Sequence, residues 1–372
     1  MKRSRLLAST ALVSVALVLG ATEAQALSLT LGGFAEFWFG YGDNEKVAGT
    51  VTDVRNNFDV KHDAEIHFGA EEKLDNGMTV GVLFEIEAGP GNALSSGTQS
   101  GGAMDTEWDE AFAWVKTRWG QVNIGNNDPA AAYVGHIDVV GPIGIIKHDA
   151  ENWVPGFHAA QNLDNDLGFK DSQNVTYFTP RVGGFQLIVS YAPDQSDWRE
   201  GDFDRSETSR EHNAVSVAAK FERKFGTVGF GLGAGYSTAE ARDNPAPFVT
   251  SSLEGYNVAV KLDAGPVRLT AGYIYESLHT RDERFWGVGL IYRINPVHAV
   301  SLGYGDGKRP NTSGPPPFSL KNDDHVVAAG WEADLGKGVS LAASLYQWEA
   351  DLAGTEFDSD GWGAVGGLVL RF

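Results

Sequence analysis

The sequence lacks cysteine entirely and is poor in positive charge. Its 372 residues contain no Cys, so a disulfide framework, thiol chemistry and cysteine-ligated metal are excluded. Lys and Arg number 29 against 49 Asp and Glu, which gives a formal net charge of −20. This acidity argues against nucleic acid as a partner, because phosphate binding requires clustered lysine and arginine.

Beyond residue 26 there is also no run of about 18 apolar residues, which excludes a helical membrane protein. The first residues differ, because a basic start, an apolar segment and an A-x-A cleavage site follow one another: Lys2, Arg3 and Arg5, residues 6–20, and Ala24–Ala26. They predict a secretory signal peptide over residues 1–26, cleaved after Ala26, with 27–372 as one domain. A retained anchor is the alternative, but the run is short for spanning a bilayer.

Motifs of common catalytic and metal sites are absent as well. No H-E-x-x-H, EF-hand or G-x-S-x-G sequence occurs, so no catalytic residue and no metal site is predicted. His62 and His67 lie five apart on a predicted strand and would face opposite sides, which makes a poor metal pair. Calcium bound to acid-rich loop tips is an open alternative, with oxygen donors such as Asp202, Asp204, Asp323 and Asp324.

What the sequence does have is strand periodicity. In the last eleven residues, 362–372, every second position is apolar or small, and that face starts at Trp362 and ends at Phe372. Side chains alternate faces along a strand. Ten residue steps tilted by about 40° rise roughly 25 Å, which is the height of the apolar band on an outer-membrane barrel. The segment is therefore interpreted as a membrane-spanning strand.

The connections between such segments alternate in length. Seven are short and contain Gly or Pro, as tight hairpins require, and eight are long and polar. The long ones are roughly 42–59, 89–106, 126–172, 193–211, 239–254, 277–283, 305–324 and 350–359. The count predicts an all-β protein, a transmembrane antiparallel 16-stranded up-and-down β-barrel with short periplasmic turns and long extracellular loops.

Alternation also assigns a face to each charged side chain. A charged face cannot be buried unpaired, so when the apolar face meets lipid the charged face lines a wet lumen. The predicted lumenal wall residues are Lys61, Asp63, Glu65, Glu85, Lys220, Arg268 and Arg293. Aromatic residues at the strand ends are interpreted as interfacial girdles rather than ligand-stacking residues: Trp38, Trp286, Trp331, Trp362 and Phe372.

Residues 174–194, NVTYFTPRVGGFQLIVSYAPD, resemble the strand–turn–strand hairpin of Gram-negative general porins. Residues 29–44 are similar to the first strand of that family, 120–133 to its fifth strand, and Phe372 to its assembly signal. The resemblance implies a homotrimer of outer-membrane barrels that passes small hydrophilic solutes and ions without a cofactor. It also implies that the third loop folds into the barrel and narrows it.

The predicted third loop, 126–172, is the longest, as functional loops often are. Family resemblance makes its acids candidates for the constriction, facing a basic cluster on the wall: Asp128, Asp138, Asp149 and Glu151 against Lys61, Lys220, Arg268 and Arg293. The loop lacks the Pro-Glu-Phe-Gly-Gly sequence of some porins, so the acid at the narrowest point stays open.

Three functions follow as alternatives. The leading hypothesis is a passive diffusion porin, with a weak cation preference expected from the negative net charge. A solute-selective porin is the second. An outer-membrane barrel enzyme such as a lipase is the third, and it would require a nucleophile and a base at one site.

Overall fold

The computed structural model describes residues 27–44, 57–87, 107–135, 163–170, 172–195, 211–241, 252–278, 281–311, 320–352 and 357–372. Within these ranges, sixteen strands form a closed barrel in which sequence neighbours pair antiparallel and the first strand pairs with the last. The predicted 16-stranded up-and-down barrel is confirmed. The predicted signal peptide, 1–26, lies outside the described residues.

The strands and one helical turn have the following bounds. They are β1 Ser28–Asn44, β2 Phe58–Lys73, β3 Thr79–Glu87, β4 Glu107–Thr117, β5 Gly120–Asn126, α1 Ala132–Gly135, β6 Gln173–Phe178, β7 Phe185–Asp194, β8 His212–Phe225, β9 Val228–Glu240, β10 Ser252–Ala264, β11 Val267–Leu278, β12 Arg281–Arg293, β13 His298–Asn311, β14 Leu320–Gly336, β15 Val339–Leu352 and β16 Phe357–Arg371. Among the described residues, no helix is long and apolar enough to cross a bilayer.

Short turns close one end of the barrel, which we call the turn end. Between β2 and β3 the Leu74 N–H donates to the Met78 carbonyl at 2.7 Å, and Gly77 takes a φ of +82° that a side chain would disfavour. The Asn76 side chain accepts from the Met78 N–H at 3.0 Å, as turn asparagines do. These bonds set the pairing of β2 with β3.

At the opposite end, the loop end, two strand pairs extend further than predicted. Only residues 279–280 separate β11 from β12, whereas a polar loop over 277–283 was predicted. Asp324, expected on a solvated loop tip, lies in β14 opposite Gly307 and is buried. Polar residues pair in these ladders because the backbone supplies the hydrogen bonds whatever the side chain is.

The two faces of the barrel have opposite composition. Large apolar side chains cover the exterior, where Val60 is 64% exposed and Leu345 is 61% exposed. The interior face carries polar side chains, including the buried Ser190 of β7, Ser216 of β8 and Ser237 of β9. Apolar outside and polar inside is the pattern of a barrel surrounded by lipid.

Pairing of the first strand with the last closes the barrel. The N–H groups of Gly33 and Phe372 each donate to the other residue's carbonyl, at 3.0 and 3.1 Å. Near the loop end, the rings of Tyr41 and Trp362 lie 5.8 Å apart on the exterior. The last strand therefore forms the seam of the closed sheet.

Candidate functional site

The described parts of the predicted third loop lie against the interior face of β7–β11. The Ala130 and Ala131 N–H groups donate to the hydroxyls of Ser190 and Ser216, each at 2.8 Å. Asn257 on β10 donates to the Ala131 carbonyl at 2.8 Å and also to the Leu163 carbonyl. One wall amide thus holds both described pieces of the loop, 127–135 and 163–170.

Apolar packing reinforces these polar contacts. Ala130, Val134 and Leu163 are buried within one cluster that also contains Ile188 and Ala259 of the interior wall. Removing such side chains from water contributes about 25 cal/mol per Å² of apolar area. The loop segments are therefore fixed to the wall by both hydrogen bonds and packing.

The sequence-based interpretation did not single out four of the wall residues that form hydrogen bonds with the loop. Three are the interior serines of β7, β8 and β9, and the fourth is Asn257, whose neighbours Tyr256 and Val258 are exposed on the exterior. A row of small polar side chains at one level of successive strands was the available signal. It places hydroxyl and amide groups where a loop backbone needs partners.

The predicted constriction acids fall mostly outside the described residues. Asp128 is described and half-buried, whereas Asp138, Asp149 and Glu151 belong to 136–162, which is not described. Asp166, in the second described piece of the loop, accepts a hydrogen bond from the Gly168 N–H at 2.6 Å. Burial, helped by the Asp128 carboxylate, raises the pKa of Asp166 to about 6.

Carboxylates gather on the interior face of β1–β3. Asp63, Glu65 and Glu85 lie there together with Glu36, and His67 of β2 contacts Glu85 of β3. Like charges in one place raise the local concentration of cations. This acidic wall adds negative charge to the lumen independently of the candidate loop acids.

Three of the four predicted wall bases have different partners in the structure. Lys220 of β8 donates to the Tyr133 carbonyl of α1 at 2.7 Å. Lys61 pairs with Asp59 at 3.6 Å, and Arg268 pairs with Asp263 at 2.7 Å across the β10–β11 turn. Arg293 lies on the interior side of β12, between the exposed exterior residues Tyr292 and Ile294. Lys220 therefore links the basic wall to the described part of the loop.

A second basic group was missed from the sequence. Glu222 of β8 pairs with Arg181 at 2.6 Å and with Lys261 of β10 at 3.8 Å. The cross-strand register places Gly231 of β9 between Glu222 and Lys261, so the two side chains can meet over a position without one. Together with Lys220, these cations make the β8–β10 wall more basic than the β1–β3 wall.

Four of the five predicted girdle aromatics lie on the exterior: Trp286, Trp331, Trp362 and Phe372. Their contact with a membrane interface stays a prediction. Trp38 is wrong as a girdle residue, because its indole N–H donates to Glu36 at 3.1 Å and its ring packs on the interior apolar cluster. The strand alternates faces, and its exterior positions are taken by Phe37 and Phe39.

Comparison with known proteins points to one family. A family described as Gram-negative porin matches residues 8–351. No curated protein sequence matches the chain significantly. Among solved structures, OmpF of Salmonella typhi in complex with daunomycin superposes with a TM-score of 0.62 at 17% identity, covering 93% of this chain and 98% of that one.

Two further structures are similar at lower identity. The outer membrane channel DcaP of Acinetobacter baumannii has a TM-score of 0.61 at 12% identity, covering 95% of this chain and 100% of that one. An anion-selective porin from Comamonas acidovorans has a TM-score of 0.59 at 14% identity, covering 93% and 99% respectively. At such identities the likeness establishes the fold, and the ion preference of this chain must be argued from its own charges.

Proposed function

The chain belongs to the Gram-negative porin family and is an outer-membrane diffusion channel. We propose that the 126–172 loop narrows the lumen of this channel and that the channel favours cations over anions. Small hydrophilic solutes and ions would pass by size exclusion, with a charge bias from the lumenal side chains. The observation that carries the cation preference is the acidic wall of β1–β3: Glu36, Asp63, Glu65 and Glu85.

The narrowing is supported by the position of α1. This turn lies inside the barrel, and Lys220 holds the Tyr133 carbonyl while Asn257 holds that of Ala131. The chain from 136 to 162 connects the two held pieces, and it carries the candidate acids Asp138, Asp149 and Glu151. We propose that these acids and Asp128 border the narrowest part of the lumen.

Charge variants test the cation preference. Glu65→Gln together with Glu85→Gln removes two lumenal charges, and each is worth roughly 0.5–1 kcal/mol to a nearby ion in water. We expect the K⁺/Cl⁻ permeability ratio, measured from reversal potentials across a KCl gradient, to fall about two- to fivefold per charge.

Glu254→Gln is the matched control. Glu254 lies on the exterior, where it accepts from the Tyr236 hydroxyl at 3.4 Å, so its loss changes net charge without changing the wall. An unaltered ratio in the double variant, or anion preference in the parent protein, would contradict the proposed cation preference.

Block of the ionic current by solutes separates a solute-selective porin from a general diffusion porin. A solute-selective porin would show block of its ionic current by a particular solute, whereas general diffusion predicts none at matched concentrations. The porin family and the barrel fold favour a channel over a barrel lipase.

A calcium ion on the outer loops stays a prediction, because Asp202 and Asp204 lie outside the described residues.

We also propose a homotrimer as the assembled form. The family resemblance supports it, and the exterior of β1 and β2 is strongly apolar, with Phe37, Phe39, Phe58 and Val60 at least half exposed. Such a patch suits a partner subunit as well as lipid. Light scattering of the detergent-solubilised protein should give three times the mass of the chain after correction for detergent; a monomer mass would contradict the proposal.

A further inference from the structure

Two neighbouring strands bring an imidazole and two carboxylates together on the acidic wall. Glu65 and His67 are two residues apart on β2 and so share its interior face. His67 lies directly opposite Glu85 of β3 in the cross-strand register. The hydrogen-bonded turn at Leu74–Met78 sets that register, so the sequence itself brings these three side chains together.

The distances within this group suit a metal ion. Glu65 Oε2 lies 2.8 Å from His67 Nε2, a normal hydrogen bond, whereas Glu85 Oε1 lies 3.5 Å from His67 Nδ1. The second separation is long for a hydrogen bond. It is close to the roughly 3.4 Å between two ligand atoms that each lie about 2.1 Å from one tetrahedral ion.

The hydrogen bond to Glu65 also selects the useful tautomer. When the proton resides on Nε2 and is donated to Glu65, Nδ1 keeps its lone pair on the side of the ring near Glu85, 3.5 Å away, and is available to a metal. A ligating histidine almost always donates its other N–H to a carboxylate or carbonyl in this way. One potential ligand atom from each of the three residues lies within 4.8 Å of the others.

Neighbouring carboxylates add negative charge around the three side chains, and ions in the lumen can reach them. Asp63 and Glu36 lie on the same acidic wall, and Asp109 of β4 acts electrostatically on both His67 and Glu85. The three side chains are 12–19% exposed, so ions in the lumen can reach them. An imidazole combined with carboxylates suits Zn²⁺ and similar divalent ions better than Ca²⁺, which prefers oxygen ligands alone.

We propose that His67 and Glu85 bind a divalent transition-metal ion on the lumenal wall, with Glu65 as the residue that positions the imidazole. Water or neighbouring carboxylates would complete the coordination. Two added positive charges on this wall would lower the cation preference of the lumen. Metal binding itself depends only on the β2–β3 geometry, whereas its effect on current rests on the proposed channel function.

Isothermal titration of the full mature chain, refolded without a histidine tag, with ZnCl₂ tests the binding. One Zn²⁺ per chain is expected, with CaCl₂ binding more weakly. His67→Gln and Glu85→Gln should each lose at least tenfold in affinity, and Glu65→Gln should lose ten- to a hundredfold because the positioning contact is gone. Circular dichroism should show the same β-barrel spectrum for each variant.

His62→Gln is the matched control, since His62 is on the same strand but stacks on Phe37 at the exterior. Its zinc affinity should equal that of the parent chain. Absence of zinc binding in the parent, or undiminished binding in His67→Gln, would overturn the inference. Ohmic channels without zinc binding refute the site alone, and zinc binding without channels refutes the proposed function alone.

Discussion

At the scale of single residues, the contact between the loop and the wall requires a glycine at one position of the wall. Gly235 of β9 lies under α1, and a Cβ placed there would stand 2.7 Å from the Ala131 Cβ and closer still to the Asn257 amide oxygen. No φ restriction applies at this position, so the glycine is required by space. Asn257 can then reach the Ala131 carbonyl from the next strand.

Gly235→Ala should therefore push α1 away from the wall toward the barrel axis. Overpacking of this kind costs about 1–3 kcal/mol, so the thermal unfolding temperature should fall and the single-channel conductance should decrease. Gly231→Ala is the control on the same face of the same strand, where a Cβ would lie at ordinary contact distances of 3.5–3.8 Å from the flexible side chains of Lys261 and Glu222. Equal conductance in the two variants would show that α1 does not narrow the lumen.

At the scale of elements, strand number and order could be predicted because hairpin turns have chemical requirements. Gly77, Gly226 and Gly265 all have positive φ, and each marks a turn between two periodic segments. The strand ends could not be predicted as well. Asp324, Ser277 and Asp282 are polar, yet they continue their ladders, because side-chain polarity does not prevent backbone pairing.

Face assignment was predictable wherever alternation was applied. It placed Asp63, Glu65 and Glu85 on the interior, and it would have corrected Trp38, since Phe37 and Phe39 already occupy the exterior positions. Alternation along a strand assigns each residue to a face, but it does not say which interior residues contact one another. The contact of His67 with Glu85 depends on the β2–β3 register, and that of Asn257 with the loop depends on closure of the whole barrel.

At the scale of the whole molecule, the distribution of charge matters more than its sum. The net charge of −20 is a sum over the whole chain, including residues outside the described strands, so by itself it says little about the lumen. The described interior separates into an acidic side on β1–β3 and a side on β8–β10 that carries Lys220 and Lys261. An ion in the lumen therefore experiences a field across its path as well as an average potential.

A field of this origin should be sensitive to salt. The Debye length is about 10 Å at 0.1 M and about 3 Å at 1 M ionic strength, so the acidic wall acts across the lumen only in dilute salt. We expect the K⁺/Cl⁻ permeability ratio, measured at one fixed tenfold gradient, to fall toward that of free solution as the mean KCl concentration rises from 0.05 to about 0.5 M. Glu65→Gln with Glu85→Gln should flatten this dependence, while Glu254→Gln should retain it. A ratio independent of salt in the parent protein would mean that ion binding at short range, rather than the field of the wall, determines the selectivity.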